Sequence, residues 1–96
     1  MIPCSQQIAS ASLNVYPNPA REYTKINFFL EKEEYIKLNI YNLQGRLIKT
    51  LSQNRLVTGN QTFILNFNDD NISDGMYIVE LIANNKVFNA KFVVIR

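Results

Sequence analysis

The chain has 96 residues, 47% hydrophobic and 19% charged, with ten Lys/Arg against eight Asp/Glu for a net charge of +2. That length holds one domain around one thin core, and the composition excludes a chain disordered throughout. The near balance of charge excludes a strong nucleic-acid binder, and the absence of His with a single Cys removes most catalytic constellations and any intrachain disulfide.

Residues 1–12 are small, polar and aperiodic, and read as a flexible linker stub from something larger. They lack the basic and apolar regions of a signal peptide, and no stretch of the chain approaches the ~20 apolar residues of a membrane span. Cys4 lies in this stub with no base near it in sequence and reads as an incidental exposed thiol.

From Leu13 the apolar period is two. Leu13 and Val15 alternate with Asn14 and Tyr16, and Pro17-Asn18-Pro19 then makes a rigid corner, because proline fixes φ and donates no hydrogen bond. Thr24, Ile26, Phe28 and Leu30 share one face of the next strand. Residues 31–34 (Glu-Lys-Glu-Glu) are expected to form a charged turn, and Ile36, Leu38 and Ile40 face inward after it. A turn over 42–45 uses Gly45 for a left-handed residue. A short strand over 46–51 sets Leu47 and Leu51 in register, and a polar loop is expected over 52–60.

Phe63, Leu65 and Phe67 look better buried than Ile64 in the strand over 61–67. A long turn closes at Asp74-Gly75. Tyr77, Val79, Leu81 and Ala83 then point inward, with the Tyr77 hydroxyl at the rim. Asn84-Asn85 is a two-residue hairpin signal, and Phe88, Ala90, Phe92 and Val94 face the core from the last strand, 86–96. No window carries a helical stripe. About seven short strands imply an all-β fold, a small antiparallel sandwich of Ig-like, Greek-key type in which 52–60 and 68–74 cross between sheets; a small barrel is the alternative.

Candidate chemistry is sparse. Asp69, Asp70, Asn71 and Asp74 could offer hard oxygen ligands, but an Asx-rich turn has the same composition and the pattern is not an EF-hand. Glu31, Glu33 and Glu34 sit on an exposed turn without pocket-forming neighbours. Asn60-Gln61-Thr62 and Asn71-Ile72-Ser73 fit the glycosylation sequon and read as coincidence. Tyr23, Phe29, Tyr35 and Tyr41 fall on outward faces, where aromatic rings could stack on sugars or simply pair across strands. No catalytic residue, metal site or cofactor is assigned.

The order of the turn motifs carries more information. Leu13-Asn14-Val15-Tyr16-Pro17-Asn18-Pro19-Ala20 opens the domain, and Ile40-Tyr41-Asn42-Leu43-Gln44-Gly45-Arg46 lies in the middle. Asp74-Gly75-Met76-Tyr77 comes next, and Lys91-Phe92-Val93-Val94-Ile95-Arg96 closes the series. The set resembles the type A C-terminal sorting domain of the type IX secretion system of Bacteroidetes over about 13–96. Asn42 stands where that family often has Asp, and both residues support the same turn.

The resemblance implies a non-catalytic tail that takes a larger cargo from the periplasm across the outer membrane to the medium or the cell surface. Its partners would be the type IX translocon, a sortase-like protease with surface-attachment components, and an N-terminal cargo domain in the same chain. Pro17, Asn18, Pro19, Gly45, Gly75 and Tyr77 would be structural turn positions. Lys91, Phe92, Val93, Val94, Ile95 and Arg96 are expected to form the main recognition element on an open sheet edge, with Arg46 as a second contact. A carbohydrate-binding module and a fibronectin-like spacer of a secreted enzyme are the competing readings.

Overall fold

The computed structural model describes residues 13–69 and 71–96. The linker reading of 1–12, the thiol of Cys4 and the carboxylate of Asp70 lie outside these residues. The described chain forms five strands and no helix: β1 (Asn14–Tyr16), β2 (Tyr23–Asn42), β3 (Leu47–Asn66), β4 (Gly75–Ala83) and β5 (Lys86–Val94).

All five belong to one antiparallel sheet organised on β2. Ile26 pairs with both Val15 of β1 and Phe63 of β3, and Leu38 with both Leu81 of β4 and Ser52 of β3. A strand has two hydrogen-bonding edges, so β3 occupies one edge of β2 along its length while β1 and β4 share the other. β5 lies beyond β4, paired from Gly75↔Val94 to Ala83↔Lys86.

The strand count differs from the expected seven for a definite reason. The 31–34 turn and the 52–60 loop are absent. β2 and β3 run through both regions and pair, with the register moving from Leu30↔Gly59 to Glu34↔Val57. Three residues of β2 thus stand against one of β3, a bulge that bends the ribbon. Gly59 supplies a φ of +80° beside it. Glu31, Lys32 and Glu33 are exposed on the bulge, so their charges stay in water without ending the strand.

The bend divides each long strand into two halves. One half-sheet holds β1 with the start of β2 and the end of β3. The other holds the rest of β2 and β3 with β4 and β5. Ile26, Phe28, Leu30 and Leu65 from the first half share one core with Ile36, Leu38, Ile40, Val79, Leu81, Phe92 and Val94 from the second. The sandwich is therefore one curled sheet whose inner face packs on itself. Each large apolar side chain so buried contributes about 1.5–3 kcal/mol.

Aromatic contacts fill the curl. Phe28 stacks on Phe63 at 6.0 Å, and Phe92 lies between Phe67 at 6.4 Å and Tyr77 at 5.5 Å. Ile64 is 58% exposed, as the alternation of its strand requires. The Asn84-Asn85 turn has φ of 52° and 65°, the two left-handed residues of a type I′ hairpin.

Leu47 departs from expectation: it is 51% exposed, whereas Leu51 packs against the core. Register shifts between Ile36/Lys37, Leu38/Asn39 and Ile40/Tyr41 each insert a residue on the β3 side. Every insertion reverses the facing of the residues beyond it, so simple alternation fails along this part of β3.

Two polar side chains are buried in this interior. The Thr24 hydroxyl donates to the Pro17 carbonyl at 3.1 Å. The Ser52 hydroxyl has no hydrogen-bond partner among the described residues. An unsatisfied buried hydroxyl carries its desolvation cost with no return. Ser52→Ala is therefore expected to stabilise the fold by about 1 kcal/mol, read as a higher midpoint in chemical denaturation at unchanged slope.

Candidate functional site

The last residues of β5 are held from both sides. β4 lies on one. On the other, the Ala20 amide donates to the Val93 carbonyl and the Ile95 amide to the Ala20 carbonyl, both at 2.8 Å. Asn18 extends this short parallel pairing through its side chain: Oδ1 accepts from the Val93 amide at 2.9 Å, and Nδ2 donates to the Lys91 carbonyl at 3.3 Å. Pro17 and Pro19 flank Asn18 in cis peptide bonds.

Arg96 carries the clasp further. Its amide donates to Asp74 Oδ1 at 3.1 Å, Nη1 donates to the Ile72 carbonyl at 2.8 Å, and Nη2 donates to Asn68 Oδ1. The expected open edge is thus occupied from Lys91 onward. Phe92 and Val94 are core side chains, with 0% and 1% exposure; Lys91, Ile95 and Arg96 remain at the surface and Val93 is half-buried.

The central turn sits at the same end. Asn42 Oδ1 accepts from the Gln44 amide at 3.0 Å and the Arg46 amide at 2.9 Å, while the Gly45 amide donates to the Asn42 carbonyl at 3.0 Å. Only the oxygen of the Asn42 side chain is used in these bonds, which explains why an Asp would serve there. Gly45 has φ of +83°, and Arg46 is exposed beside it. Asn42 is paired with Tyr77 across β2 and β4. The Tyr77 hydroxyl donates to the Ser73 carbonyl at 2.8 Å, which braces the turn that enters β4 at Gly75, φ +147°. A cleft of about 300 Å³ lies between Asn42, Leu43 and Gln44 on one side and Ser73, Asp74 and Gly75 on the other.

A larger shallow groove, about 520 Å³, runs over the outer face of the second half-sheet from Gly45 to Lys91, with Tyr41, Ile78 and Glu80 between them. Glu80 accepts from Tyr41 Oη at 3.2 Å and from Asn39 Nδ2 at 3.3 Å, and Thr50 Oγ1 donates to Asn39 Oδ1 at 2.9 Å. Desolvation, with the nearby Glu80 charge adding to it, pushes the Tyr41 phenol above its ordinary pKa of 10.0.

The remaining candidates separate. Tyr23 and Phe29 lie on the first half of β2, and Tyr35 and Tyr41 beyond the bulge, with the Tyr41 hydroxyl engaged by Glu80. Glu31 and Glu33 are exposed and Glu34 half-buried at the bulge. Among the described residues no group of three or more His, Cys, Asp or Glu converges on a metal-sized site. Asp74 instead binds the Arg96 amide. Sequence reasoning did not find the pairing role of Asn18 or the Tyr41–Glu80 groove. The signal available for the groove was Glu80, a lone acid at an outward position of an otherwise apolar strand.

All the turn motifs therefore meet at one end of the domain. Residues 14–95 match the family described as the secretion system C-terminal sorting domain. The chain belongs to this family. Its sorting domain is 38% identical over 91 residues to the ulvan lyase NLR42 of Nonlabens ulvanivorans, covering 94% of this chain and 15% of that protein. It shares its fold with PorZ, a surface component of the type IX secretion system of Porphyromonas gingivalis, at a TM-score of 0.63 and 23% identity over 88% of this chain and 12% of that one. The chain thus spans a small part of the length of both. The resemblance to type IX sorting domains drawn from the motif order is the relationship these matches show, and such a domain is a sorting signal with no catalytic part.

This geometry has two measurable consequences. Asn42→Asp should leave stability within about 0.5 kcal/mol and Asn42→Ala should lower it by about 1 kcal/mol, because only the latter strands two amides; denaturant melts decide. A phenol whose folded pKa lies above its unfolded value holds its proton longer in the native state. Its contribution is complete below pH 10.0 and is lost as pH rises through the folded pKa. Stability should fall in that alkaline window, and Tyr41→Phe should remove this part of the fall in a pH series of melts.

Proposed function

We propose that this chain is the export tail of a longer protein, with 13–96 as the folded signal and 1–12 as the linker from its cargo. The type IX translocon engages the domain on the periplasmic side, and cargo passes to the medium or the cell surface. A sortase-like protease then separates tail from cargo within the linker and joins the cargo to the surface. The family relationship supports the sorting role, and the ulvan lyase relative shows that such a domain can accompany a catalytic protein much longer than itself.

The observation that carries the recognition reading is the convergence of the motifs. Lys91, Val93, Ile95 and Arg96 lie on a segment clasped by Asn18, Ala20 and Asp74, and a single groove joins Lys91 to the turn bearing Arg46. Because the backbone groups at 93 and 95 are already bonded, the partner reads side chains here rather than adding a strand. Phe92 and Val94 act from the core by fixing the segment, Lys91 supplies positive charge in the groove, and Arg46 supplies it on the turn next to Gly45.

A reporter fused ahead of this chain in a strain with a working type IX system tests the reading. The double substitution Arg46→Glu with Lys91→Glu should lower export severalfold and leave the reporter in the periplasm, while the isolated chain melts at the wild-type temperature. Normal export of the doubly substituted fusion would refute this recognition surface.

A further inference from the structure

Asn18 does for one stretch of β5 what the Ala20 backbone does for the next. The Ala20 amide donates to the Val93 carbonyl, and its carbonyl accepts from the Ile95 amide. A regular parallel ladder would repeat this pair of bonds at residue 18, on the Lys91 carbonyl and the Val93 amide. The side chain of Asn18 makes that pair instead, with Nδ2 donating to the first at 3.3 Å and Oδ1 accepting from the second at 2.9 Å. Its neighbours have no amide hydrogen to offer, because both are proline. The two groups so held belong to the peptide units on either side of Phe92. The Phe92 ring is held at the same point in the core, between Phe67 and Tyr77. Lys91 therefore springs from backbone fixed at the edge by Asn18 and in the core through Phe92, and it lines the groove from that place.

We propose that Asn18 is a positioning residue of the sorting signal, whose side-chain amide pairs as a peptide unit and fixes the backbone from which Lys91 is presented. The proposal rests on the export reading and goes beyond it: a residue of the first corner, acting through Lys91, sets how well the terminal segment is recognised. A carboxamide is the group this role needs. It carries a donor and an acceptor in one plane, as a peptide unit does. An ionised Asp has acceptors only, so it would keep the Val93 bond and set oxygen against the Lys91 carbonyl. Turn chemistry draws no such distinction, since Asn and Asp serve a corner alike. The Asp variant therefore separates a pairing role from a corner role.

Amide exchange and export together test the proposal. In the 96-residue chain, Asn18→Ala should speed exchange of the Val93 amide by roughly tenfold more than it speeds the Val79 and Leu81 amides of β4, which lies between β2 and β5. In the reporter fusion, Asn18→Ala and Asn18→Asp should each lower export severalfold with every surface cation in place. Ile36→Val shortens a fully buried side chain and leaves the clasp whole. It should lower the melting midpoint and still export as the wild type does. Wild-type export by either Asn18 variant, or wild-type exchange at Val93 in Asn18→Ala, would overturn the proposal and leave the export reading standing. Export that falls as far with Ile36→Val as with Asn18→Ala would overturn it too, since the loss would then follow stability alone. An unsubstituted fusion that stays in the periplasm would instead overturn the export reading, and the proposal with it.

Discussion

A sheet that curls on itself leaves a seam, and in this domain the seam closes where Ala20 pairs with Val93 and Ile95. The bulge after Leu30 brings the two halves of β2 and β3 face to face, but among the described residues no strand pairing links β1 to β5. A few hydrogen bonds from the corner after β1 do so. Ala20 is fully buried beneath them, and the proline on either side of Asn18 leaves that residue's side chain to act as a surrogate peptide group. The seam ties residue 18 to residue 93 and makes the end of β5 an interior ladder in hydrogen-bonding terms, although its outward side chains still meet solvent.

That arrangement explains why the motifs of the family are so widely separated along the chain. The Pro-Asn-Pro corner, the 42–46 turn, the Asp74-Gly75 turn and the terminal segment each look like local punctuation. Once folded they support one another. Asn42 pairs with Tyr77, Tyr77 packs on Phe92, Gly75 pairs with Val94 and Asp74 binds the Arg96 amide. A change in any one position is transmitted to the others through packed or hydrogen-bonded neighbours.

Much of the fold was legible in the residues because the apolar period is strict where one face is buried. Thr24 to Leu30, Ile36 to Ile40 and Tyr77 to Ala83 place their inward side chains as alternation requires. The Asn-Asn hairpin and the Asn42 turn were legible because their chemistry is local. Strand number was not. Glu-Lys-Glu-Glu at 31–34 has the composition of a turn, and only the opposing residues of β3 show that the backbone stays extended. Leu47 was misplaced because bulges insert single residues, and a period-two reading carries no record of them. At the candidate site the exposed cations and turn glycines were visible in advance. The clasp was not, since Asn18 and Val93 are far apart in sequence and an Asn between two prolines reads as a corner before it reads as a strand partner.

The difference between a linear tag and a folded signal lies in these contacts. A linear tag would keep its backbone free for a partner strand, and its side chains would count independently. Here the backbone at 93 and 95 is committed inside the domain, Phe92 and Val94 are committed to the core, and the side chains left at the surface are held at fixed spacing by both. On the proposed reading, recognition of this surface is recognition of the folded state, because Lys91 and Gly45, which precedes Arg46, line one groove only when β2, β4 and β5 are paired. On that same reading an export machine would reject unfolded tails without a separate check, and the stability of the seam would be part of the signal.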